Sequence, residues 1–333
     1  MAVSNDLDYL AATLHGRREK MACGARLDAL CRLTSIPDLA KSLYPGAAVP
    51  TAEDLQRRLV EDLAGELADL AGYLTGPQAG LLDWMLARFE AENIKTMIKS
   101  LGADAARPRP IPSPAALVPV RTLEEVIGLL PEGVFRESVK EAVRVYPVKS
   151  RPFFYEASLD RAYFRELLKR ADLLSGPDRK AIAAMIRQEA DIFHLALITR
   201  GKYVYGLKKE VLMALHIGGT EIALRRFAAM LGAADLASAL DILPAKLKGT
   251  GGFLPAQDPA AVEAAAWQRF QRLADRAFRN SHIGFGVVAG YAALRRVETA
   301  NLITICEGLR LGMTGADIRS RLIPRIEGGV ARA

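Results

Sequence analysis

Glycine-rich segments suited to a nucleotide or phosphate site occur twice in the last third of the sequence. Gly284-Phe-Gly-Val-Val-Ala-Gly290 matches a loose form of the dinucleotide fingerprint, and Lys248-Gly-Thr-Gly-Gly252 is similar in composition to a phosphate loop. Both motifs need a buried strand before the glycines and a helix after them, so that backbone N–H groups face the phosphates. No strand pattern precedes either segment. We therefore predict a flexible connector over Lys246–Pro255 and, in the first segment, a small-residue face for close helix packing, formed by Gly286, Ala289, Gly290 and Ala293.

Other residues with catalytic or metal-binding chemistry are too scattered to form a recognisable site. The four histidines are dispersed and lack the paired spacing of metal ligands, and the sequence contains no CxxC or GxSxG. Adjacent carboxylates such as Glu90 and Glu92 are more typical of solvated helix faces than of acid–base pairs. We predict no catalytic, cofactor-binding or metal-ligating residue and no cofactor. His194 is interpreted as a hydrogen-bonded structural residue, and the three cysteines as free thiols.

Two segments combine cations with aromatic rings in the way that single-stranded nucleic acid binders do. Arg144–Tyr155 contains three cations and four aromatic residues, and Arg200–Tyr205 has a weak similarity to an RNA-recognition strand. Neither segment lies in a predicted sheet, so packing between helices is the favoured interpretation. A basic helical adaptor that binds nucleic acid remains the alternative function.

Helical periodicity dominates the elements that would position these residues. Leu55, Leu59 and Leu63 follow the i, i+4 spacing of an amphipathic helix, which begins at a capping box of Thr51 and Asp54 and stops at Thr75-Gly-Pro77. The same start and stop signals recur along the chain, and no segment shows sustained alternation of polar and apolar residues. We predict an all-α fold, interrupted by a stiff proline-rich connection over 107–119.

The composition is that of an ordinary globular protein, with a basic excess confined to part of the chain. Of the 333 residues, half are hydrophobic and a quarter are charged, which excludes fibrous and disordered classes. No apolar run is long enough to span a bilayer, and the N-terminus lacks the pattern of a signal peptide, so we expect a cytoplasmic protein. Net charge is −2 over residues 1–110, +4 over 111–218 and +5 over 219–333.

A motif with helical spacing occurs three times. Each copy has an acidic residue, followed by Asn or His three residues later, an aliphatic residue four later, an aliphatic residue or Met seven later and a small residue ten later. This spacing places the side chains near one helix face. The copies begin at Glu90, Asp191 and Glu298, so their starts are 101 and 107 residues apart. This period indicates a triplicated small helical domain, with chance similarity between helices as the alternative.

These segments also carry a resemblance to the central-stalk subunit of rotary V/A-type ATPases, which is called the C subunit in bacterial and archaeal complexes and the d subunit in eukaryotic ones. The resemblance covers essentially the whole chain, and His194 and Ser100 depart from the family's pattern. The residues that carry it, besides the three motif copies, are Tyr9, Arg17-Arg18, Leu159–Phe164, Gly290-Tyr291, Gly308, Gly312 and Asp317–Leu322.

The resemblance implies three related helical bundles about a pseudo-threefold axis, forming a funnel: 1–110, 111–218 (which begins with the proline-rich linker) and 219–333. It implies a non-catalytic rotor subunit of an H⁺ or Na⁺ transporting ATPase, peripheral on the cytoplasmic side of the membrane. The expected partners are the central shaft subunits and the membrane proteolipid ring, with no nucleic acid and no span of its own. Basic side chains in 111–333 are candidates for these contacts.

Overall fold

The protein is all-α among the residues that its computed structural model describes, which are 7–49, 51–101, 120–146, 152–248 and 258–324. No strand occurs in these ranges, as predicted. None of their helices has both the length and the apolarity needed to cross a membrane. The helices are α1 Leu7–Glu19, α2 Gly24–Leu30, α3 Ile36–Leu43, α4 Ala52–Ala71, α5 Gly76–Lys99, α6 Leu123–Leu129, α7 Val134–Val145, α8 Pro152–Asp172, α9 Gly176–Ala196, a π-helical segment Leu197–Val204, α10 Lys209–Met213, α11 Leu224–Gly232, α12 Leu236–Asp241, α13 Ala245–Lys248, α14 Pro259–Asn280, α15 Phe285–Arg310 and α16 Gly315–Ser320.

Helix boundaries follow the predicted capping residues. The hydroxyl of Thr51 accepts a hydrogen bond from the Asp54 amide at 3.1 Å, and Thr122 and Thr314 cap α6 and α16 in the same way. These bonds satisfy amide groups that have no partner inside the helix. At the end of α15, Gly312 has a φ of +67°, a left-handed conformation that glycine adopts without strain.

The first of two compact units is formed by the two ends of the chain, residues 1–79 and 270–333. Helices α1, α3, α4 and α16 all pack against α15. Leucines repeated along α4, from Leu55 to Leu70, are buried, and α15 is buried along most of its length. The long helix α15 is therefore the core element around which this unit is assembled.

The second unit consists of residues 80–269. Helix α8 packs against both α7 and α9, and the π-helical segment continues directly from α9. Stacked rings fill the core of this unit: Trp84 lies 5.3 Å from Phe135 and 6.0 Å from Tyr163, between ring centroids. The division into three bundles, 1–110, 111–218 and 219–333, stays a prediction.

Two predicted connections lie mostly outside the described residues. The proline-rich linker, 107–119, lies entirely within residues 102–119, which are not described, and the glycines of the second connector fall within 249–257. The part of the connector that is described differs from the prediction, because Lys246–Lys248 belongs to the helical turn α13. One carbonyl of this turn, that of Lys246, accepts a hydrogen bond from Arg269 Nε of α14 at 2.9 Å.

Candidate functional site

The third motif copy anchors two distant loops to α15. Glu298 Oε1 accepts a hydrogen bond from the Ala22 amide, and the Asn301 side chain binds both backbone groups of Ile323, donating to its carbonyl at 2.7 Å and accepting from its N–H at 2.8 Å. Both motif side chains are buried. Buried backbone groups need hydrogen-bond partners, and here the motif supplies them for the α1–α2 loop and for the segment after α16.

The second copy anchors a loop to α9 in the same way. The two carboxylate oxygens of Asp191 accept from the amides of Glu221 and Ile222, at 3.1 and 3.0 Å. His194 Nε2 accepts from the Ile217 amide at 3.0 Å, and both motif side chains have no exposed surface. An imidazole nitrogen that accepts an N–H is unprotonated, so His194 is the neutral Nδ1–H tautomer. His194 is thus a hydrogen-bonded structural residue, as its sequence context predicted.

A second histidine completes this anchor. The ring of His216 stacks on that of His194 with a centroid distance of 4.6 Å, and its Nε2 donates to the Ile222 carbonyl at 2.9 Å. Burial lowers the pKa of His216 and outweighs the opposing effect of its hydrogen bond to the Ile222 carbonyl. The uncharged forms of both rings therefore stabilise the loop 217–222 against α9.

The first copy, on α5, faces a network of ion pairs. Asp160 of α8 accepts from Lys95 Nζ at 2.5 Å and from Arg88 Nη1 at 2.7 Å, and Glu92 bridges the same two cations. Burial alone would lower the pKa of Arg88, but the adjacent carboxylates outweigh burial and raise it. Glu90 itself is half-buried, and burial raises its pKa. Within the described residues, Asp160 of α8 is thus held by two cations of the helix that carries the first motif copy.

The first unit contains a polar cluster centred on Glu66 of α4. Its carboxylate accepts from Tyr291 Oη at 2.6 Å, from Arg295 Nε at 2.8 Å and from Arg17 Nη1 at 3.1 Å. Burial opposes ionisation of Glu66, but these donors prevail and lower its pKa. Arg295 also pairs with Glu298, so the cluster is joined to the third motif copy.

This cluster contains three residues that the sequence analysis had selected and two site residues that it had not. Arg17, Tyr291 and Glu298 all carry the family resemblance, and the structure brings them together around a cavity of about 200 Å³. Glu66 and Arg295 were not predicted. The available signal was that Glu66 lies on the leucine-rich face of α4, where an acid needs a buried cation.

The two glycine-rich segments of the last third do not form nucleotide sites in the described residues. Gly290 lies at the crossing of α15 and α14, where a β-carbon would meet Phe278 N at 2.6 Å and Ala274 O at 2.7 Å. This confirms the predicted close helix packing at Gly290. Of the second segment, only Lys248 is described, and its Nζ donates to the Asp241 carbonyl at 2.7 Å.

The cation–aromatic segments are used for packing inside the second unit. The Tyr146 ring stacks on Phe154 at 4.7 Å, and Phe153 packs edge-on to Tyr205 at 5.5 Å. In the π-helical segment, Lys202 Nζ lies 4.5 Å from the Tyr203 ring centroid and donates to a backbone carbonyl. Residues 147–151 lie outside the described ranges. The described rings contact one another and do not form the exposed platform that stacked bases require.

The described titratable side chains lie mostly in hydrogen-bonded anchors and ion pairs. No group of three His, Cys, Asp or Glu side chains within those ranges is arranged to hold a metal ion. Many basic residues of the last two thirds have internal carboxylate partners, among them Arg200 with Glu263 and Lys246 with Glu221. The described polar chemistry is therefore that of anchors and ion pairs between helices and loops.

Comparison with known proteins gives one consistent result. The chain matches the family model described as ATP synthase (C/AC39) subunit over residues 10–321. It is also similar to the C subunit of the A-type ATP synthase from Methanocaldococcus jannaschii, with 23% identity over 352 aligned residues that cover 95% of this chain and 86% of that protein. The family match includes all three motif copies and every residue of the Glu66 cluster.

Proposed function

The chain belongs to the ATP synthase (C/AC39) subunit family, and we propose that it is the non-catalytic central-stalk subunit of a V/A-type rotary ATPase transporting H⁺ or Na⁺. In this role it connects the central shaft to the membrane proteolipid ring, as a peripheral subunit on the cytoplasmic side. The observation that carries the proposal is the family match, which runs through all three motif helices. A part that transmits torque must also be stiff, and the buried loop anchors and the close α14–α15 crossing support that requirement.

We also propose the three-bundle arrangement that goes with this role. Bundles 1–110, 111–218 and 219–333 would each carry one motif copy, and their arrangement about a pseudo-threefold axis would form a funnel around the end of the shaft. Support comes from the anchoring chemistry that the second and third copies share. An experimental structure of the assembled complex tests this arrangement, and bundles that do not superpose would contradict it.

Reconstitution with and without this chain tests the rotor role. We expect the purified chain to hydrolyse no ATP, to bind the shaft subunits and the proteolipid ring, and to be required for ATP-driven ion transport by the assembled complex. ATP hydrolysis by the catalytic head alone should not depend on it. Failure to bind either partner, in a preparation where the other subunits assemble, would refute the proposal.

The same preparation tests the alternative function, a basic helical adaptor that binds nucleic acid. Retention on single-stranded nucleic acid, with log affinity falling linearly in log salt concentration, would favour a nucleic acid adaptor. We expect no such retention at physiological salt.

A further inference from the structure

The loop 217–222 of the second unit is held to α9 by hydrogen bonds that involve two histidine rings. His194 Nε2 accepts from the Ile217 amide at 3.0 Å, and His216 Nε2 donates to the Ile222 carbonyl at 2.9 Å. The two rings lie nearly parallel, with an interplanar angle of 2°. The attachment of this loop therefore depends on groups that can take up a proton.

The third motif copy holds its loop with a residue that does not titrate. Asn301 stands where the second copy has His194, and its amide binds both backbone groups of Ile323. An amide stays uncharged in the range where imidazole gains a proton, at about pH 6.5. The two anchors therefore differ in their response to acid, and the proposed rotor role assigns no use to that difference.

A proton on His194 acts against the bound loop. The ring is fully buried, and its Nε2 lone pair faces the Ile217 N–H, so a second N–H at that atom would point at the first. Its Nδ1 lies 3.5 Å from Asp191 Oδ1, and a charged ring would attract this carboxylate. Both carboxylate oxygens already accept loop amides, those of Glu221 and Ile222. Protonation thus removes one acceptor from the loop and competes for another.

His216 gives protons access to the pair of rings. Its ring is half-buried, whereas that of His194 has no exposed surface. Burial is the main reason that the pKa of His216 is lowered; among the charged groups near it, Asp191 favours a proton, and a charged His194 and Arg161 of α8 disfavour one. Helix α11 presents the uncharged ring of Phe227, 5.2 and 5.3 Å from the two imidazoles.

The loop also has a backbone that can move. Gly218 and Gly219 at its tip are exposed, and Gly219 has a φ of +83°, a conformation that glycine adopts without strain. Its one charged side chain, Glu221, pairs with Lys246 and, at 3.9 Å, with Arg187, so these ion pairs do not involve a histidine.

The closed position of the loop is favoured while both rings are neutral. The side chains of Ile217 and Ile222 are buried, and Thr220 Oγ1 lies 3.4 Å from His194 Nδ1. Helix α11 begins at Leu224, two residues after the loop. Opening the loop would therefore also free the start of α11.

We propose that His194 and His216 form an acid-sensitive latch, which holds the loop 217–222 and the start of α11 against α9 at neutral pH and releases them when the rings take up protons. The anchor at Asn301 lacks this response. The latch goes beyond the rotor role and does not depend on it. In a rotor, acidification would loosen the second unit at this loop and leave the Asn301 anchor of the first unit in place.

Amide hydrogen exchange of the purified full-length chain tests the latch. Protection factors, which correct for the intrinsic pH dependence of exchange, are compared at pH 7.5 and pH 5.5 by NMR. A ring that is neutral in the closed form and titrates near pH 6.5 in the open form raises the open fraction about tenfold over this interval, and two such rings raise it about a hundredfold. We expect the protection of Ile217 and Ile222 to fall by about tenfold to a hundredfold, and that of Ile323 by less than about threefold.

His194→Asn places the residue of the third copy in the second and is the most direct variant. It should keep the loop closed at pH 7.5 and limit the acid response to the part that His216 contributes, about tenfold. His216→Gln keeps a donor for the Ile222 carbonyl and should also reduce the response; it decides the question if His194→Asn does not fold. The double variant should show no response. His15→Gln is the matched control, because His15 packs on Phe278 in the first unit, and it should respond like the unaltered chain.

The latch is overturned if the protection of Ile217 and Ile222 falls no more than that of Ile323, or if it falls equally in the double variant. A uniform fall throughout α8 and α9 would also overturn it, since acid would then act on the whole unit and not on the loop. Exchange in the purified chain does not require assembly with the shaft subunits, so a failure of the rotor role would leave this result unchanged.

Discussion

Replacing Gly290 by alanine should expose how closely α14 and α15 pack. A β-carbon at this position would lie 2.6 Å from Phe278 N, 2.7 Å from Ala274 O and 3.0 Å from Phe278 Cα. Ordinary contacts of a β-carbon are 3.4 Å or longer, so one helix must move by roughly 0.8 Å to relieve the shortest contact. All three obstructing atoms are backbone, and no side-chain rotation can relieve the contact.

The expected loss of stability combines two opposing effects. Adding a methyl group to a well-packed interior costs about 1 to 3 kcal/mol, and the backbone contacts place Gly290→Ala at the upper end of that range. Alanine is better than glycine inside a helix by about 1 kcal/mol. The net expectation is a loss of about 2 kcal/mol in the free energy of unfolding of the first unit.

Gly65→Ala is the matched control for this variant. Gly65 lies inside α4 on the exposed side, and a β-carbon there would meet nothing within 4 Å. This variant should gain roughly 0.5 to 1 kcal/mol from helix propensity alone. Chemical denaturation, followed by circular dichroism, should therefore separate the two variants by about 3 kcal/mol. If Gly290→Ala is as stable as Gly65→Ala, the two helices do not approach this closely and the packing argument is wrong.

A graded comparison is available at Gly308. There a β-carbon would meet Ile318 Cγ1 at 2.5 Å, which is a side-chain atom and not backbone. Ile318 can change rotamer, so Gly308→Ala should cost less than Gly290→Ala. Ile318→Ala removes both obstructing carbons, Cγ1 and Cδ1, so Gly308→Ala should cost less in an Ile318→Ala background than in the unaltered chain. The same second change cannot rescue Gly290→Ala.

Three further outcomes are expected. Asn301→Ala leaves both backbone groups of Ile323 without their partner and should cost about 2 kcal/mol in unfolding free energy, measured by chemical denaturation. Because the pKa of His216 is lowered in the folded chain, the unfolded chain binds more protons than the folded chain just below pH 6.5. The free energy of unfolding should therefore keep its full value above pH 6.5 and fall as the pH decreases, by at most about 1.4 kcal/mol per pH unit. The urea midpoint of His216→Gln should fall less steeply with decreasing pH than that of the unaltered chain. Cys23 is exposed, whereas burial raises the pKa of Cys31 to about 11, so a thiol reagent at pH 7.5 should label the first quickly and leave the second unreacted, as mass spectrometry of the native chain would show.

Local features of the fold follow from the sequence because their partners are close along the chain. The cap at Thr51 needs only the amide of Asp54, and the cap at Thr314 needs only Asp317. The small-residue face around Gly290 was likewise visible from helical spacing, since residues 286, 289, 290 and 293 share one side of a helix. Each helix cap depends on an interaction between residues a few positions apart, and the small-residue face depends on side-chain size alone.

The anchors and the polar cluster could be predicted only in part. The motif spacing showed that Glu298 and Asn301 share a helix face, but the amide bound by Glu298 is 276 residues away at Ala22. Similarly, Arg295 and Tyr291 reach Glu66 across more than 220 residues. A single sequence can show that a partner is needed, because a buried acid requires a hydrogen-bond donor or a cation. It does not show which distant residue supplies that partner.

The exchange of Asn for His in the second motif copy shows which property these positions require. Asn301 offers a donor and an acceptor and binds the N–H and the C=O of one residue, whereas neutral His194 offers one acceptor to Ile217. A carbonyl of the same loop, that of Ile222, accepts a hydrogen bond from His216. What the two copies share is a buried, uncharged group that fixes loop backbone to a long helix. Such bonds are shielded from solvent and weakly screened by salt, unlike the surface pair of Arg200 and Glu263. For the proposed rotor role, we therefore expect the attachment of these loops to their helices to depend little on ionic strength.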